Sequence, residues 1–240
     1  MIKIENVVLP SAEQWRAIIM GTRNPMNSWE KSDSRWSNGY ISDKHITVEY
    51  AGEYDEYQIG PNDQDLMMRL RNSGTDHRKF MRMIAVYVDI LAPLYWWKEF
   101  DTYKVGTVAN SCSTMHKIHE KEFTLEDFSC EHLMSLSDQD IPYASNAMYV
   151  FDYREVMRNT IDALNNARTY YLETKDKKYW WQMIQLLPSS YNQKRTVMLN
   201  YEVLANIYKS RRNHKLDEWV ELCKWIESLP YSELITGEKK

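Results

Sequence analysis

The residues best suited to chemistry in this sequence form a polar run from Lys98 to Met115. The run follows an apolar, aromatic stretch and combines small hydroxyl residues with Tyr103 and Lys104. Hydroxyl, phenol and ammonium groups can hydrogen-bond a phosphate or the edge of a flat heterocycle. A turn that caps the next helix would have a similar composition, so the local pattern leaves a ligand site and a turn as alternatives.

A second set of polar side chains lies late in the chain, at Asn200, Asn206 and Arg211. Asn200 and Arg211 are eleven residues apart, which places them nearly in register on one face of a helix. Polar groups beside an apolar stripe suit the edge of a ligand site, whereas a solvated helix shoulder would carry the same residues. This helix is the second candidate binding surface.

A metal site is the third candidate, because Cys112, His116 and His119 fall at i, i+4 and i+7 of a helical pattern. Zinc accepts such ligands, but structural zinc sites usually show tight C-x2-C pairs, which the chain lacks. We therefore predict no metal. The sequence also lacks G-x-S-x-G, a Walker loop and G-x-G-x-x-G, so no catalytic residue is predicted.

The composition sets limits on compartment and partners. The net charge of −4 offers no general attraction to nucleic acids, whose phosphates dominate non-specific binding. The three cysteines are sparse and odd in number, which is typical of free thiols in a reducing compartment. The first residues lack the apolar run of a signal peptide, and the most apolar stretch contains Asp89 and Pro93. We expect no membrane association and a cytoplasmic location.

The hydrophobic periodicity predicts one helix-rich α+β domain over residues 1–240 with a small sheet. A buried segment over 80–95 fits either a strand or a helix, with a boundary at Pro93. The amphipathic pattern places Val156, Thr160, Leu164, Ala167 and Tyr171 on one helical face. The other predicted elements are strands over 2–9 and 46–50, helices over 12–20 (capped by Ser11), 64–72 (capped by Asp63), 153–172, 195–212 and 219–226, a long loop over 21–40 and a solvated tail over 236–240.

The first two candidates together resemble the flavin-dependent thymidylate synthases. That family carries R-H-R-x2-S-x4-S-x-R after an apolar segment with Ala-Pro. Here Ala92-Pro93 precedes Thr102-Tyr-Lys-x2-Thr107-x4-Cys112-x-Thr114 at the matching distance. Lys104 keeps a positive charge, Thr107 keeps a hydroxyl and Cys112 replaces a serine. The outer arginines are replaced by Thr102 and Thr114, and the histidine is replaced by Tyr103.

The order of other segments adds to the resemblance. The stretch from Gly74 to Phe80, with His77, is similar to the family's Gly/His-containing segment, and Leu187-Pro188 to its late Leu-Pro. Asn200, Asn206 and Arg211 fall where the family has two asparagines and an arginine. The similarity spans roughly residues 60 to 225, with consistent spacing.

The resemblance implies the family's α+β fold, a homotetramer, and FAD acting with a folate to methylate dUMP. It implies FAD contacts at His77, Tyr103, Lys104, Asn110, Asn200 and Asn206. It implies contacts to the pyrimidine deoxynucleotide at Thr107, Cys112 and Arg211. Threonine cannot replace the bidentate phosphate contact of an arginine, so the two lost arginines favour an alternative, a non-catalytic interaction protein that keeps the fold.

Overall fold

The computed structural model describes residues 2–36, 57–137 and 151–238. The predicted strand over 46–50 lies outside these residues. The chain divides into two compact units. The first unit comprises residues 1–3, 90–102 and 110–195, and the second comprises 4–89, 103–109 and 196–240. The interpretation of the chain as a single domain stays a prediction.

The described residues form six strands and nine α-helices. The strands are β1 (Lys3–Val8), β2 (Arg35–Trp36), β3 (Tyr57–Gln58), β4 (Ala85–Pro93), β5 (Val108–Ser111) and β6 (Asn192–Asn200). The helices are α1 (Ala12–Arg23), α2 (Pro61–Asn72), α3 (Leu94–Phe100), α4 (Thr114–Lys117), α5 (Tyr153–Thr174), α6 (Lys177–Leu186), α7 (Tyr201–Arg211), α8 (Asp217–Ser228) and α9 (Glu233–Thr236). One sheet has the order β1-β4-β6-β5, and β2 pairs with β3 in antiparallel register. This confirms the predicted helix-rich α+β class with a small sheet.

The first helix begins where the sequence predicts it. The Ser11 hydroxyl accepts a hydrogen bond from the Gln14 amide at 3.3 Å, and the Gln14 side chain accepts one from the Ser11 amide at 2.7 Å. This reciprocal capping box stabilises the start of α1. The helix extends to Arg23, three residues into the predicted 21–40 loop, and short 3-10 helices follow over Asn24–Met26 and Trp29–Lys31. Residues 37–40 of that loop lie outside the described part.

The ambiguous segment over 80–95 is a strand. Val86, Val88, Ile90 and Ala92 are fully buried and alternate with more accessible residues, which is the period of a strand. A 3-10 helix over Arg78–Met83 precedes β4. The predicted boundary at Pro93 is confirmed, because β4 ends there and α3 begins at Leu94.

The predicted helix over 195–212 is wrong in its first third. Residues up to Asn200 form β6, in which Val197 and Leu199 are buried. Asn200 has extended backbone angles, and its side-chain oxygen accepts a hydrogen bond from the Val203 amide at 3.1 Å. It is therefore the N-cap of α7 and ends the strand at the same point.

The predicted N-cap at Asp63 is also wrong. Helix α2 begins two residues earlier with Pro61, whose fixed φ angle suits the first helical position, and Gly60 is its N-cap. Asp63 lies in the first turn instead, and its side chain pairs with Arg23 in the core of the second unit.

Helices α5 and α6 pack against each other in the first unit. The buried positions of α5 are Met157, Ile161, Leu164 and Ala167, and Val156 is exposed. The buried face is therefore rotated from the predicted one, although Leu164 and Ala167 belong to both. These side chains meet Met183 of α6 in an apolar core.

Asp152, the N-cap of α5, is expected to make the stability of the fold depend on pH. Backbone amides of Glu155 and Leu136 and the Ser135 hydroxyl donate to the Asp152 carboxylate, which lowers its pKa to about 2. This stabilisation is complete above the ordinary pKa of 3.8 and is lost as the pH falls through the folded value. Asp152→Ala should lower the thermal midpoint near neutral pH, and the difference from the parent should narrow as the pH falls from about 3.8 through the folded pKa of about 2.

The control for Asp152→Ala is Asp162→Ala, at an exposed position within the same helix. It removes one carboxylate without removing a cap, so its midpoint should follow that of the parent. An Asp152→Ala midpoint that stays below the parent's by a constant amount in acid would contradict the assigned linkage.

Helices α7, α8 and α9 build the core of the second unit. Tyr201, Leu204 and Ile207 of α7 are buried, as are Trp219 and Ile226 of α8. The predicted last helix is confirmed as α8, which ends before Pro230. Beyond it, α9 ends at Thr236, and Gly237 and Glu238 are the last described residues of the predicted tail. None of the helices in the described ranges is long and apolar enough to span a bilayer.

Candidate nucleotide site

The second unit brings two of the candidate regions together: the 103–107 segment and helix α7. Tyr103, Lys104 and Thr107 belong to the segment, while Asn200 and Arg211 stand at the two ends of α7. The side chains at both helix ends contact the segment, Asn200 at Gly106 and Arg211 at Tyr103. The expected pairing of the polar run with the late helix is thus present in the structure for these residues.

Arg211 and Tyr103 form an aromatic–cation pair supported by Trp219. The Arg211 Nε donates to the Tyr103 hydroxyl at 3.0 Å, and its guanidinium carbon lies 4.7 Å from the centre of the Trp219 ring. The two aromatic rings meet edge to face with centroids 6.0 Å apart. Stacking fixes the plane of the guanidinium group, which pre-orients its donors.

Gly106 allows the segment to approach α7 closely. Its φ angle of +81° lies in the left-handed region, where a side chain is unfavourable. A Cβ atom there would lie 3.0 Å from the Asn200 amide nitrogen, which donates to the Gly106 carbonyl at 3.4 Å. Asn200 therefore caps α7 with its oxygen and contacts the segment with its nitrogen.

Thr107 carries a buried hydroxyl with no hydrogen-bond partner within the described protein atoms. Its backbone amide is satisfied by the Lys104 carbonyl at 3.3 Å, so the deficit concerns the side chain alone. An unsatisfied buried hydroxyl costs free energy, and such groups point to a missing water or ligand.

A second polar cluster joins two arginines of the 3-10 helix, Arg78 and Arg82, to Glu202 and Asn206 of α7. His77 is exposed at the start of the 3-10 helix, and the next residue, Arg78, donates to the Asn206 side-chain oxygen at 3.3 Å. Arg78 also pairs with Glu202 at 3.2 Å, and Arg82 pairs with the same carboxylate. The side-chain oxygen of Asn206 therefore already accepts a hydrogen bond from Arg78.

Glu202 is ionised in this cluster. Burial opposes the charged carboxylate, but hydrogen bonds from Arg82 and Arg78 outweigh that effect and lower the pKa of Glu202. Neither Arg78 nor Glu202 is among the residues predicted from the sequence. The sequence signal for this cluster is the run of basic residues that follows His77. Basic side chains that pack against a helix favour an acidic partner on that helix, and here the partner is Glu202.

Asn110 and Cys112 belong to the first unit. Asn110 is exposed on β5, and Cys112 follows the end of that strand. The Cys112 amide donates to the Lys194 carbonyl at 2.9 Å, and the Gln193 side chain donates to the Cys112 carbonyl at 3.0 Å. The backbone of Cys112 is therefore fixed while its thiol is exposed.

The helical alignment of Cys112, His116 and His119 is wrong. Helix α4 covers only four residues, Thr114–Lys117, and Ser113 is its N-cap, so Cys112 precedes the helix and His119 follows it. Within residues 2–36, 57–137 and 151–238, no group of three or more His, Cys, Asp or Glu side chains could hold a metal ion.

The three thiols are free and differ in accessibility, which predicts their order of reaction. Burial, with a smaller effect of Glu227, raises the pKa of Cys223 to about 11, whereas Cys112 is exposed. A thiol reagent at mildly alkaline pH should modify Cys112 rapidly and Cys223 only after unfolding, because the thiolate is the nucleophile. Mass spectrometry of the labelled protein measures this. Cys112→Ser should remove the fast phase, and fast labelling of Cys223 in folded protein would contradict the prediction.

Comparison with solved structures identifies the fold. Two of the matching structures are of the flavin-dependent thymidylate synthase ThyX from Helicobacter pylori, each with FAD and dUMP. One matches at a TM-score of 0.61 and 17% identity, covering 100% of this chain and 99% of that chain. The other, at a TM-score of 0.59 and 17% identity, covers 98% and 97%. The UMP/dUMP methylase PolB from Streptomyces cacaoi, bound with 5-Br dUMP, matches at 0.56 and 15% identity, covering 99% and 95%.

The chain therefore has the fold of the flavin-dependent thymidylate synthases over its whole length, as the resemblance implied. No family model matches the sequence, and a comparison with curated proteins finds no match.

Proposed function

We propose that this protein binds FAD and a pyrimidine deoxynucleotide, and that dUMP is the nucleotide. The observation that carries the proposal is the full-length likeness to structures bound with FAD and dUMP. The UMP/dUMP methylase PolB, bound with 5-Br dUMP, also matches this fold. Pyrimidine deoxynucleotides are therefore bound in all three of these structures. The contacts between the 103–107 segment and α7 add local support.

The residues of the second unit fit the demands of such ligands. Arg211 and Lys104 supply positive charge for phosphate, and the stacked guanidinium of Arg211 is pre-oriented. The buried Thr107 hydroxyl lacks a partner among the described atoms, which suits a polar group of a bound molecule. Asn200 and Asn206 supply amide groups, although each already contacts this chain through one atom. We assign phosphate contacts to Arg211 and Lys104, and a hydrogen bond to Thr107.

FAD, when bound, would supply hydride transfer, and a methylene-bearing folate would supply the carbon for dUMP. The chain itself would bind and orient the nucleotide. Tyr103 holds Arg211 through its hydroxyl, where a histidine in the family motif would offer an imidazole. The family resemblance also implies FAD contacts for His77 and Asn110 and a nucleotide contact for Cys112, and we keep these three assignments as proposals.

The visible spectrum of the purified protein tests flavin binding. We expect flavin absorption after incubation with FAD and gel filtration, and a higher thermal midpoint with FAD or dUMP, because a ligand that binds only the folded state stabilises it. CMP, which lacks the uracil carbonyl pattern and the deoxyribose, is the matched control for dUMP. No flavin absorption together with no shift by FAD or dUMP would overturn the proposal.

The second candidate is an interaction protein that keeps the fold and has lost catalysis. The replacement of charged motif residues by Thr102, Tyr103 and Thr114 favours it. Turnover of dUMP with methylene-tetrahydrofolate, FAD and a reductant would rule it out. Nucleotide binding without turnover would support it.

We propose further that the protein is a cytoplasmic homotetramer, as the resemblance implies. The free thiols agree with a reducing compartment. Light scattering of the purified protein measures the mass in solution, and a monomer would contradict the tetramer. Fractionation of cells tests the location.

A further inference from the structure

A cavity of about 570 Å³ lies within the second unit and shares no lining residue with the proposed nucleotide site. Its volume falls within the range of small-molecule sites in proteins. Residues in or next to α1 and β3 and in the connection between α8 and α9 supply most of its walls: Pro10, Trp15, Tyr57, Gln58, Ile59 and Tyr231. Three of the six are aromatic, and none carries a charge.

Two aromatic rings form adjoining walls of this cavity. Trp15 and Tyr231 meet edge to face, with ring centroids 5.1 Å apart and planes inclined by 67°. A flat ring that stacks on one of them meets the edge of the other, and both contacts are favourable for aromatic groups. An aromatic ligand could therefore gain contacts with both rings.

The wall formed by Tyr231 is fixed in position. Its φ angle of +51° is in the left-handed region, which costs a non-glycine residue free energy and persists only where the surroundings impose it. The Tyr201 hydroxyl donates to the Pro230 carbonyl at 2.6 Å, and the Leu234 amide donates to the Tyr231 carbonyl at 3.0 Å. A pre-formed wall lowers the entropy cost of binding.

The polar groups of the cavity define the class of ligand. Gln58 lines the cavity with an amide, which can both donate and accept a hydrogen bond, and none of the described residues that line the cavity carries a charged side chain. A glutamine amide can pair with the N6 and N7 edge of adenine through two hydrogen bonds. Stacking on tryptophan or tyrosine suits the faces of the same base.

We propose that this cavity binds a neutral purine base of the adenine type, stacked against Trp15 or Tyr231 and hydrogen-bonded by Gln58. The proposal does not depend on FAD or dUMP binding at the nucleotide site. It assigns a ligand class to a cavity that the proposed function leaves unused.

Adenosine is the probe, and saturation-transfer NMR with titration calorimetry is the measurement. We expect saturable binding to the parent protein. Gln58→Leu removes the amide at similar size and should weaken binding about tenfold, the loss expected for a hydrogen-bond pair. Ala12→Trp places a large ring at the cavity wall and should abolish binding. Gln182→Leu, at an exposed glutamine of α6, is the matched control and should bind like the parent.

Arg211→Lys separates this cavity from the nucleotide site. Adenosine affinity should be unchanged in Arg211→Lys, whatever that variant does to dUMP. Absence of adenosine binding, equal affinity in parent and Gln58→Leu, or a loss that follows Arg211→Lys would each overturn the proposal. Circular dichroism of each variant shows whether a loss reflects the site or misfolding.

Discussion

Replacing Asp63 by alanine is expected to lower the free energy of unfolding by about 3–5 kcal/mol, the cost of leaving a buried charge without its partner. The Asp63 carboxylate lies 2.5 Å from Arg23 Nε, and the two side chains are only 1% and 5% exposed. The hydroxyls of Ser32 and Ser34 donate to the same carboxylate at 2.6 Å each. Alanine would therefore leave a buried guanidinium and two hydroxyls without their acceptor. Urea unfolding followed by circular dichroism measures the loss.

Asp65→Ala is the matched control, since it removes a carboxylate from the same helix. Asp65 pairs with Arg69 at 3.0 Å, but both side chains are more than half exposed. Exposed pairs of this kind contribute about 0.5 kcal/mol or less. A similar loss of stability in both variants would contradict the assigned role of the buried pair.

The double variant Arg23→Met/Asp63→Leu separates an orphaned charge from lost packing. It removes both charges, so it should be less destabilised than Asp63→Ala. A double variant at least as unstable as Asp63→Ala would show that packing, and not the unpaired charge, dominates the loss.

The buried pair should also make stability depend on pH. Burial raises the cost of ionising Asp63, but hydrogen bonds from Ser32, Ser34 and Arg23 outweigh it and lower the pKa of Asp63. Its stabilisation is therefore complete above the ordinary pKa of 3.8 and lost as the pH falls through the lower folded value. Parent and Asp63→Ala should converge in stability only in that acidic range.

Asp63 shows why some local predictions fail. An aspartate before an apolar, helix-forming stretch is typical of an N-cap, and sequence reasoning placed it there. Its partner Arg23 is forty residues earlier in the chain, so the interaction that determines its role is set by tertiary packing. By contrast, the Ser11 cap and the boundary at Pro93 depend on neighbouring residues alone, and both predictions are confirmed.

Asn200 shows a second kind of failure. Strand β6 leads directly into α7 with no turn residue between them, so the apolar spacing of the helix continues back into the strand. Val197 and Leu199 in fact follow the strand period. An asparagine before an apolar helical run was a usable N-cap signal, and giving it priority would have placed the boundary correctly.

The pairing of the 103–107 segment with α7 could not be predicted from either stretch alone. The family resemblance indicated the pairing, because the resemblance rests on the order and spacing of both stretches along the chain. The contacts that define the pairing depend on backbone geometry: Gly106 in the left-handed region and Asn200 at a helix start. Trp219, which supports Arg211, lies in the predicted helix over 219–226, but no sequence pattern links it to Arg211.

Arg211→Lys should raise the dissociation constant for dUMP about tenfold or more, under the proposal that Arg211 contacts the phosphate. Lysine keeps the charge but loses the planar group that stacks on Trp219 and donates to Tyr103. The ammonium is then a flexible point charge that cannot donate two parallel hydrogen bonds to a phosphate. The loss of the cation–π contact should cost only about 1 kcal/mol of folding free energy, so the folded variant can be titrated with dUMP by calorimetry.

Arg212→Lys is the matched control at the next position. Arg212 is exposed and pairs with Glu238 at 3.3 Å, outside the contacts with the 103–107 segment. The affinity of the Arg212→Lys variant for dUMP should equal that of the parent protein. If Arg211→Lys binds dUMP as tightly as Arg212→Lys does, Arg211 serves to hold Tyr103 and Trp219 together, and the phosphate contact must come from other residues. A selective defect in Arg211→Lys would instead tie nucleotide binding to the arginine that the sequence resemblance and the stacked geometry both indicate.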